Sequence, residues 1–177
     1  MSQNLLSRAT VATLELESKL GRGQFGFAAQ ALLALIMGKL GGNIQKINPS
    51  GHPDIVLEYL GRDTAIEVEV VGKDRITYDL TEADYAHAKP TSAREGYLAI
   101  LDLHEPVRWH MIRIRSLIRP IVRQYGLSEL LTVEDEQLTA ACNSEYYDLV
   151  TKNAERITWL RFEGIRKRVL QGMFSLD

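Results

Sequence analysis

Asp54, Glu67 and Glu69 are the residues of this 177-residue sequence whose types and spacing suit chemistry. Ala65-Ile66-Glu67-Val68-Glu69-Val70-Val71 alternates apolar and acidic side chains, the two-residue period of a β-strand. Successive strand side chains point to opposite faces, so Glu67 and Glu69 share one face while Ile66, Val68 and Val70 share the other. Asp54 opens a second run, Asp54-Ile55-Val56-Leu57-Glu58-Tyr59, and Gly61-Arg62-Asp63 reads as the turn between the two. A simple hairpin register around that turn sets Asp54 opposite Glu69, and three carboxylates converge. Like charges so crowded raise one another's pKa, and a divalent cation relieves them. Mg²⁺ is typically held by one or two carboxylates together with waters and phosphate oxygens. Such ions activate water and stabilise the leaving oxygen of a phosphodiester. Each acid also has an ordinary role open to it: Glu67 and Glu69 as the solvated face of an amphipathic strand, Asp54 as a turn residue after Pro53.

The elements that must position these residues are legible in outline. Residues 11–20 read as a short helix ended by Gly21 and Gly23. Residues 25–40 read as a helix apolar on nearly every side, hence packed on both faces, and Gly41-Gly42 stops it. After the hairpin, Thr81-Glu82-Ala83-Asp84 resembles a capped helix start, with the helix ending near Pro90. Tyr97 to Leu103 is an apolar strand, and Val107 to Ile114 alternates and pairs with it. Residues 116–172 read as helical, with a break at Glu134-Asp135-Glu136 and punctuation at Pro120 and Gly126. The order of elements predicts an α/β (α+β) sandwich around a mixed sheet of at least four strands. Residues 1–115 form the core with its N-terminal helices. Residues 116–177 form a helical C-terminal extension packed on it within one compact domain.

Ser50-Gly51-His52-Pro53-Asp54-Ile55-Val56, followed thirteen residues after Asp54 by Glu67-Val68-Glu69 and preceded by a helix ending in Gly-Gly, resembles the PD-(D/E)XK nuclease superfamily. That group includes many restriction endonucleases, Holliday-junction resolvases and Mrr-like enzymes, and the resemblance spans roughly residues 25–115. It implies a restriction endonuclease-like core and a Mg²⁺- or Mn²⁺-dependent DNA endonuclease, with Asp54 and Glu67 as the metal-binding acids. The family's Lys falls at Glu69, which would bind metal or orient water. The family's acid on the preceding helix has no clear match. Gln30 either stands in for it or is a core amide hydrogen-bonded to backbone. These two departures support the alternative, a catalytically inactive nuclease-fold module that binds DNA or a protein partner.

His52, Lys73, Arg75, Arg115 and Arg119 are the candidate contacts to nucleic acid. Arg115, Arg119 and Arg123, four apart, would share a helix face and meet phosphates, or simply form a solvated face. His87, His104 and His110 show no metal-ligand spacing with Cys142 or one another. Tyr146, Tyr147, Trp159 and Phe162 are expected in the core. The net charge of −2 lends no support to nucleic-acid binding from the bulk composition. The single cysteine, Cys142, is expected as a buried filler and suits a reducing cytoplasm. The N-terminus lacks a secretory pattern, and the apolar stretch Phe25–Met37 is shorter than the ~20 residues of a membrane span. Cytoplasmic localisation without a membrane partner is the expectation. A homodimer is expected too, because cutting both strands needs two sites; Leu149, Ile157, Leu160, Ile165 and Leu170 would either offer the interface or pack against the core.

Overall fold

In a computed structural model, which describes residues 3–48, 50–117 and 123–177, helices α1 (Gln3–Leu20) and α2 (Arg22–Lys39) meet at Gly21. That glycine has φ 78°, a conformation suited to ending one helix and starting another. α2 has no polar face to offer solvent, and its residues Ala31 to Gly38 are all buried. It packs against α1 and the long C-terminal helix α5 (Glu136–Leu170), and against the sheet.

Three antiparallel strands follow α2: β1 (Asn43–Ile47), β2 (Ile55–Tyr59) and β3 (Arg62–Val71). The chain then leaves through β4 (Thr77–Leu80) and α3 (Glu82–His87), and returns as β5 (Arg94–Asp102), parallel to β3. A parallel neighbour requires such a crossover. β6 (Arg108–Arg113) pairs antiparallel with β5 and closes the five-stranded order β1-β2-β3-β5-β6. β7 (Arg123–Gly126) pairs with β4 as a separate two-stranded sheet, and α4 (Leu127–Leu130) leads towards α5. The architecture is α+β with a mixed sheet and a C-terminal helix.

The register assigns each side chain to a face. Ile55, Leu57, Ile66, Val68, Ala99, Leu101, Trp109 and Met111 join α1, α2 and α5 in the larger core. The opposite face carries Ala65, Val71, Leu98, Ile100 and Ile112, and packs with Ala88, Tyr78 and Tyr125 in a smaller core. Glu67 and Glu69 alternate into this second face. Gly96 makes its assembly possible. A Cβ there would meet the Ala88 carbonyl oxygen at 1.8 Å, so the chain just beyond α3 lies directly on β5.

Several expectations need correction. The β2–β3 turn is Leu60-Gly61 rather than Gly61-Arg62-Asp63, both residues having positive φ, as a two-residue hairpin turn requires. The register shifts with it: Ile55 faces Ile66, so Asp54, one residue before β2, falls opposite Glu67 and not Glu69. β1, β4 and β7 were not anticipated. Residues 116–135 are not continuous helix, since β7 interrupts them, but the break at 134–136 is real: the Asp135 side chain accepts from the Leu138 N–H and caps α5. Arg115 lies in a 3₁₀ turn and Arg123 opens β7, so they share no helix face, and Arg119 lies outside the described residues. Trp159 is 86% exposed and not in the core, whereas Tyr146, Tyr147, Phe162 and Cys142 are buried. The apolar residues assigned to a dimer interface are used internally. Leu149, Ile157 and Ile165 are buried, and Leu160 packs on the same core, because α5 turns its apolar side to α1 and α2; only Leu170 is exposed. Among the described residues no helix is long and apolar enough to cross a membrane.

Candidate functional site

β2 begins at Ile55 while β3 runs on to Val71, so the second half of β3 has no strand beside it on that edge. Asp54 takes over where β2 is missing. Its Oδ2 accepts the Val68 N–H at 2.8 Å, a bond that a neighbouring strand would otherwise make. Beyond it the edge opens into a cleft of about 460 Å³. One wall is the β3 segment Glu67 to Val70. The other is a face of α2 carrying Gly23, Gly26, Phe27 and Gln30, spaced i, i+3, i+4, i+7 as one helix stripe is. A Cβ on Gly23 or Gly26 would meet nothing within 4 Å, so these glycines leave the space open.

Asp54, Glu67, Glu69, Gln30 and His52 all line this cleft. Asp54 and Glu67 are buried and Glu69 is half-buried. Gln30 Oε1 is buried with no hydrogen-bond partner, so its oxygen is not held by backbone as a core amide's would be. Arg22, at the start of α2, is the Lys or Arg among the lining residues, and no motif in the sequence marks it. Lys73 and Arg75 sit exposed in the turn after β3, and Arg75 lines a neighbouring hollow shared with Arg22. Arg115 is placed elsewhere, 3.6 Å from Glu95 and donating to the Thr91 carbonyl, and does not reach the cleft.

A buried carboxylate is costly unless paired, and Glu67 is paired with imidazoles. His52 Nδ1 lies 3.2 and 3.3 Å from its two oxygens. His87, the last residue of α3, brings its Nδ1 to 3.8 Å from Glu67 Oε1. The two imidazole rings stack with centroids 4.3 Å apart and planes 1° from parallel. One ligand atom from each of His52, Glu67 and His87 lies within 4.8 Å of the other two. His87, which has no metal-ligand spacing with Cys142, His104 or His110 along the sequence, meets His52 and Glu67 in space. It is distant from His52 and Glu67 along the chain, and the crossover from β3 to β5 carries it back over the sheet.

Asp102 and His110 form a second polar group on the same sheet face. Asp102 Oδ1 accepts from the His104 N–H at 3.0 Å and lies 2.7 Å from His104 Nδ1. His110 spans Asp102 and Glu134, with Nε2 and Nδ1 at 3.3 and 3.0 Å. Burial alone pushes Asp102 up, but its bonds from His110 and His104 outweigh it and hold the carboxyl below its usual range. Burial alone pushes His110 down, but hydrogen bonds to Asp102 and Glu134 raise it.

No protein-family model, curated protein or solved structure matches the chain.

Proposed function

We propose that this chain is a divalent-metal-dependent phosphodiesterase acting on DNA, an endonuclease of restriction or repair type on a PD-(D/E)XK-like core. The observation that carries the reading is the gathering of Asp54, Glu67, Glu69 and Gln30 around a cleft at the open edge of β3. The order of elements also supports it: α2, the hairpin β2-β3, then α3 and β5 follow the order that the resemblance implies. In this reading Asp54 and Glu67 hold Mg²⁺ or Mn²⁺. Glu69, standing where the family has Lys, holds the metal or orients the attacking water. Bound there, the cation lowers the pKa of water and neutralises charge on the phosphate. Gln30 Oε1 takes a hydrogen bond from water in the cleft, and Arg22 meets a phosphate oxygen.

Purified protein with Mg²⁺ or Mn²⁺ is expected to nick or cut DNA, and Asp54→Asn to abolish the activity. Cleavage that survives Asp54→Asn ends the assignment. Glu69 in the Lys position favours a second reading, a non-catalytic module that binds DNA or a protein without divalent metal. Mn²⁺ binding that is lost in Glu67→Gln contradicts that module.

A further inference from the structure

We infer that His52, His87 and Glu67 form a site for a first-row transition-metal dication of the Mn²⁺-to-Zn²⁺ class, in preference to Mg²⁺. The site shares Glu67 with the proposed nuclease centre and rests on that reading for its place in the chemistry. Its ligand set is different, with two imidazole nitrogens replacing Asp54 and Glu69.

Atoms that bind one such ion at about 2.0–2.2 Å lie about 3–4 Å from each other. His52 Nδ1 and His87 Nδ1 are 3.2 and 3.8 Å from Glu67 Oε1, within that range. His87 Nδ1 is shielded from water and has no hydrogen-bond partner, although the carboxylate is near. A buried nitrogen so placed is poorly served by protein alone, and a cation between it and Glu67 gives it a partner. Glu67 is buried, so its charge is neutralised there rather than by solvent. The two rings stack in parallel planes, so coordination of one ion requires them to tilt towards each other. His52 sits in the irregular segment before β2 and His87 ends a short helix, so side-chain rotation supplies the tilt.

The donor types set the selectivity. Imidazole suits zinc, iron, nickel and copper, whereas carboxylate, carbonyl and water suit Mg²⁺. Mg²⁺ also demands near-octahedral oxygen coordination and gives up its waters reluctantly. Three protein ligands beside an open cleft leave coordination positions for water or a phosphate oxygen, the pattern of catalytic rather than structural sites.

The test uses the full chain freed of metal by chelation, titrated calorimetrically with Zn²⁺, Mn²⁺ and Mg²⁺. Expected are one Zn²⁺ per chain, bound at least 100-fold more tightly than Mg²⁺, and at least tenfold weaker binding in His52→Ala and in His87→Ala. His87→Gln, closer in size, serves if the alanine variant fails to fold by circular dichroism. Co²⁺ loading adds a signature independent of activity: its visible absorption bands change in the His87 variants. Zn²⁺ affinity that both histidine substitutions leave untouched overturns the inference, as does Mg²⁺ binding as tight as Zn²⁺. Mg²⁺-dependent cleavage by the wild type, together with Zn²⁺ affinity unchanged in the double His52→Ala, His87→Ala variant, overturns the inference while the nuclease reading stands. Histidine-dependent Zn²⁺ binding by a protein that cuts no DNA keeps the metal site and counts against the nuclease.

Discussion

The Asp54 carboxylate accepts the Val68 backbone N–H at 2.8 Å, so the residue proposed to bind metal also closes the open edge of β3. The two roles separate by substitution. Asp54→Ala leaves a buried N–H without its acceptor and is expected to cost about 1–3 kcal/mol. Asp54→Asn keeps an acceptor for Val68 and removes the charge. Urea unfolding should find Asp54→Asn within about 1 kcal/mol of the wild type, with Mg²⁺ binding and cleavage lost. A variant as unstable as Asp54→Ala would show that the charge itself supports the fold.

His110 faces two carboxylates, Asp102 on one nitrogen and Glu134 on the other. Only the imidazolium donates from both nitrogens. Its pKa is raised above the usual 6.5, so its contribution to stability is complete below that value and is lost as pH rises through the folded-state pKa. Asp102 is lowered below the usual 3.8, so its contribution holds above that value and is lost as pH falls through the folded-state pKa. The group therefore stabilises most between about pH 4 and 6.5. Urea midpoints of the wild type should fall from pH 6 to pH 8, and His110→Gln should flatten that slope. An unchanged slope would place the dependence elsewhere.

The parts of this site visible in the sequence are those governed by local pattern. Alternation along Ala65–Val71 marks β3 and the shared face of Glu67 and Glu69, and the all-apolar run Ala31–Met37 marks the enclosed α2. The register was not legible because the turn uses Leu60 at φ 52°, a residue no turn preference selects. β4 and β7, four residues each, are too short for a period to show, and they pair across a long stretch of chain. His87 reaches Glu67 only because of where α3 ends above the sheet. A histidine near the close of a βαβ crossover, after a strand bearing two acids, is the signal that would have raised it.

Gly96 tests that placement. A methyl group at this position runs into the Ala88 carbonyl oxygen, which is backbone and cannot swing aside. Gly96→Ala is expected to destabilise by about 1–3 kcal/mol, the usual cost of overpacking. It should also lift the end of α3 and with it His87, so Zn²⁺ affinity falls although no ligand is altered. Calorimetry on the folded variant checks this, and unchanged affinity would separate α3 docking from the metal site.

Leu60 offers a gain. It is 83% exposed and has φ 52°, so it bears left-handed strain without burying its side chain. Asn tolerates this conformation, and Asn-Gly is the preferred pair for such a turn. Leu60→Asn is expected to stabilise by about 1 kcal/mol, read as a higher Tm, with metal binding unchanged because the turn lies at the far end of β3 from Glu69.

Gly26 decides whether the cleft is where substrate lies. It sits inside α2, where glycine costs about 0.5–1 kcal/mol relative to alanine, and open space surrounds its Cβ position. Gly26→Ala should therefore raise stability by about that amount and leave activity intact. Gly26→Phe adds a ring to the wall facing Asp54 and Glu67, and circular dichroism checks that it folds. Its DNA cleavage is expected to fall at least tenfold while Zn²⁺ still binds, since the ring narrows the cleft without removing a ligand. Cleavage at the wild-type rate in a properly folded Gly26→Phe protein would mean that the nucleic acid approaches the carboxylates from the opposite side, past α3.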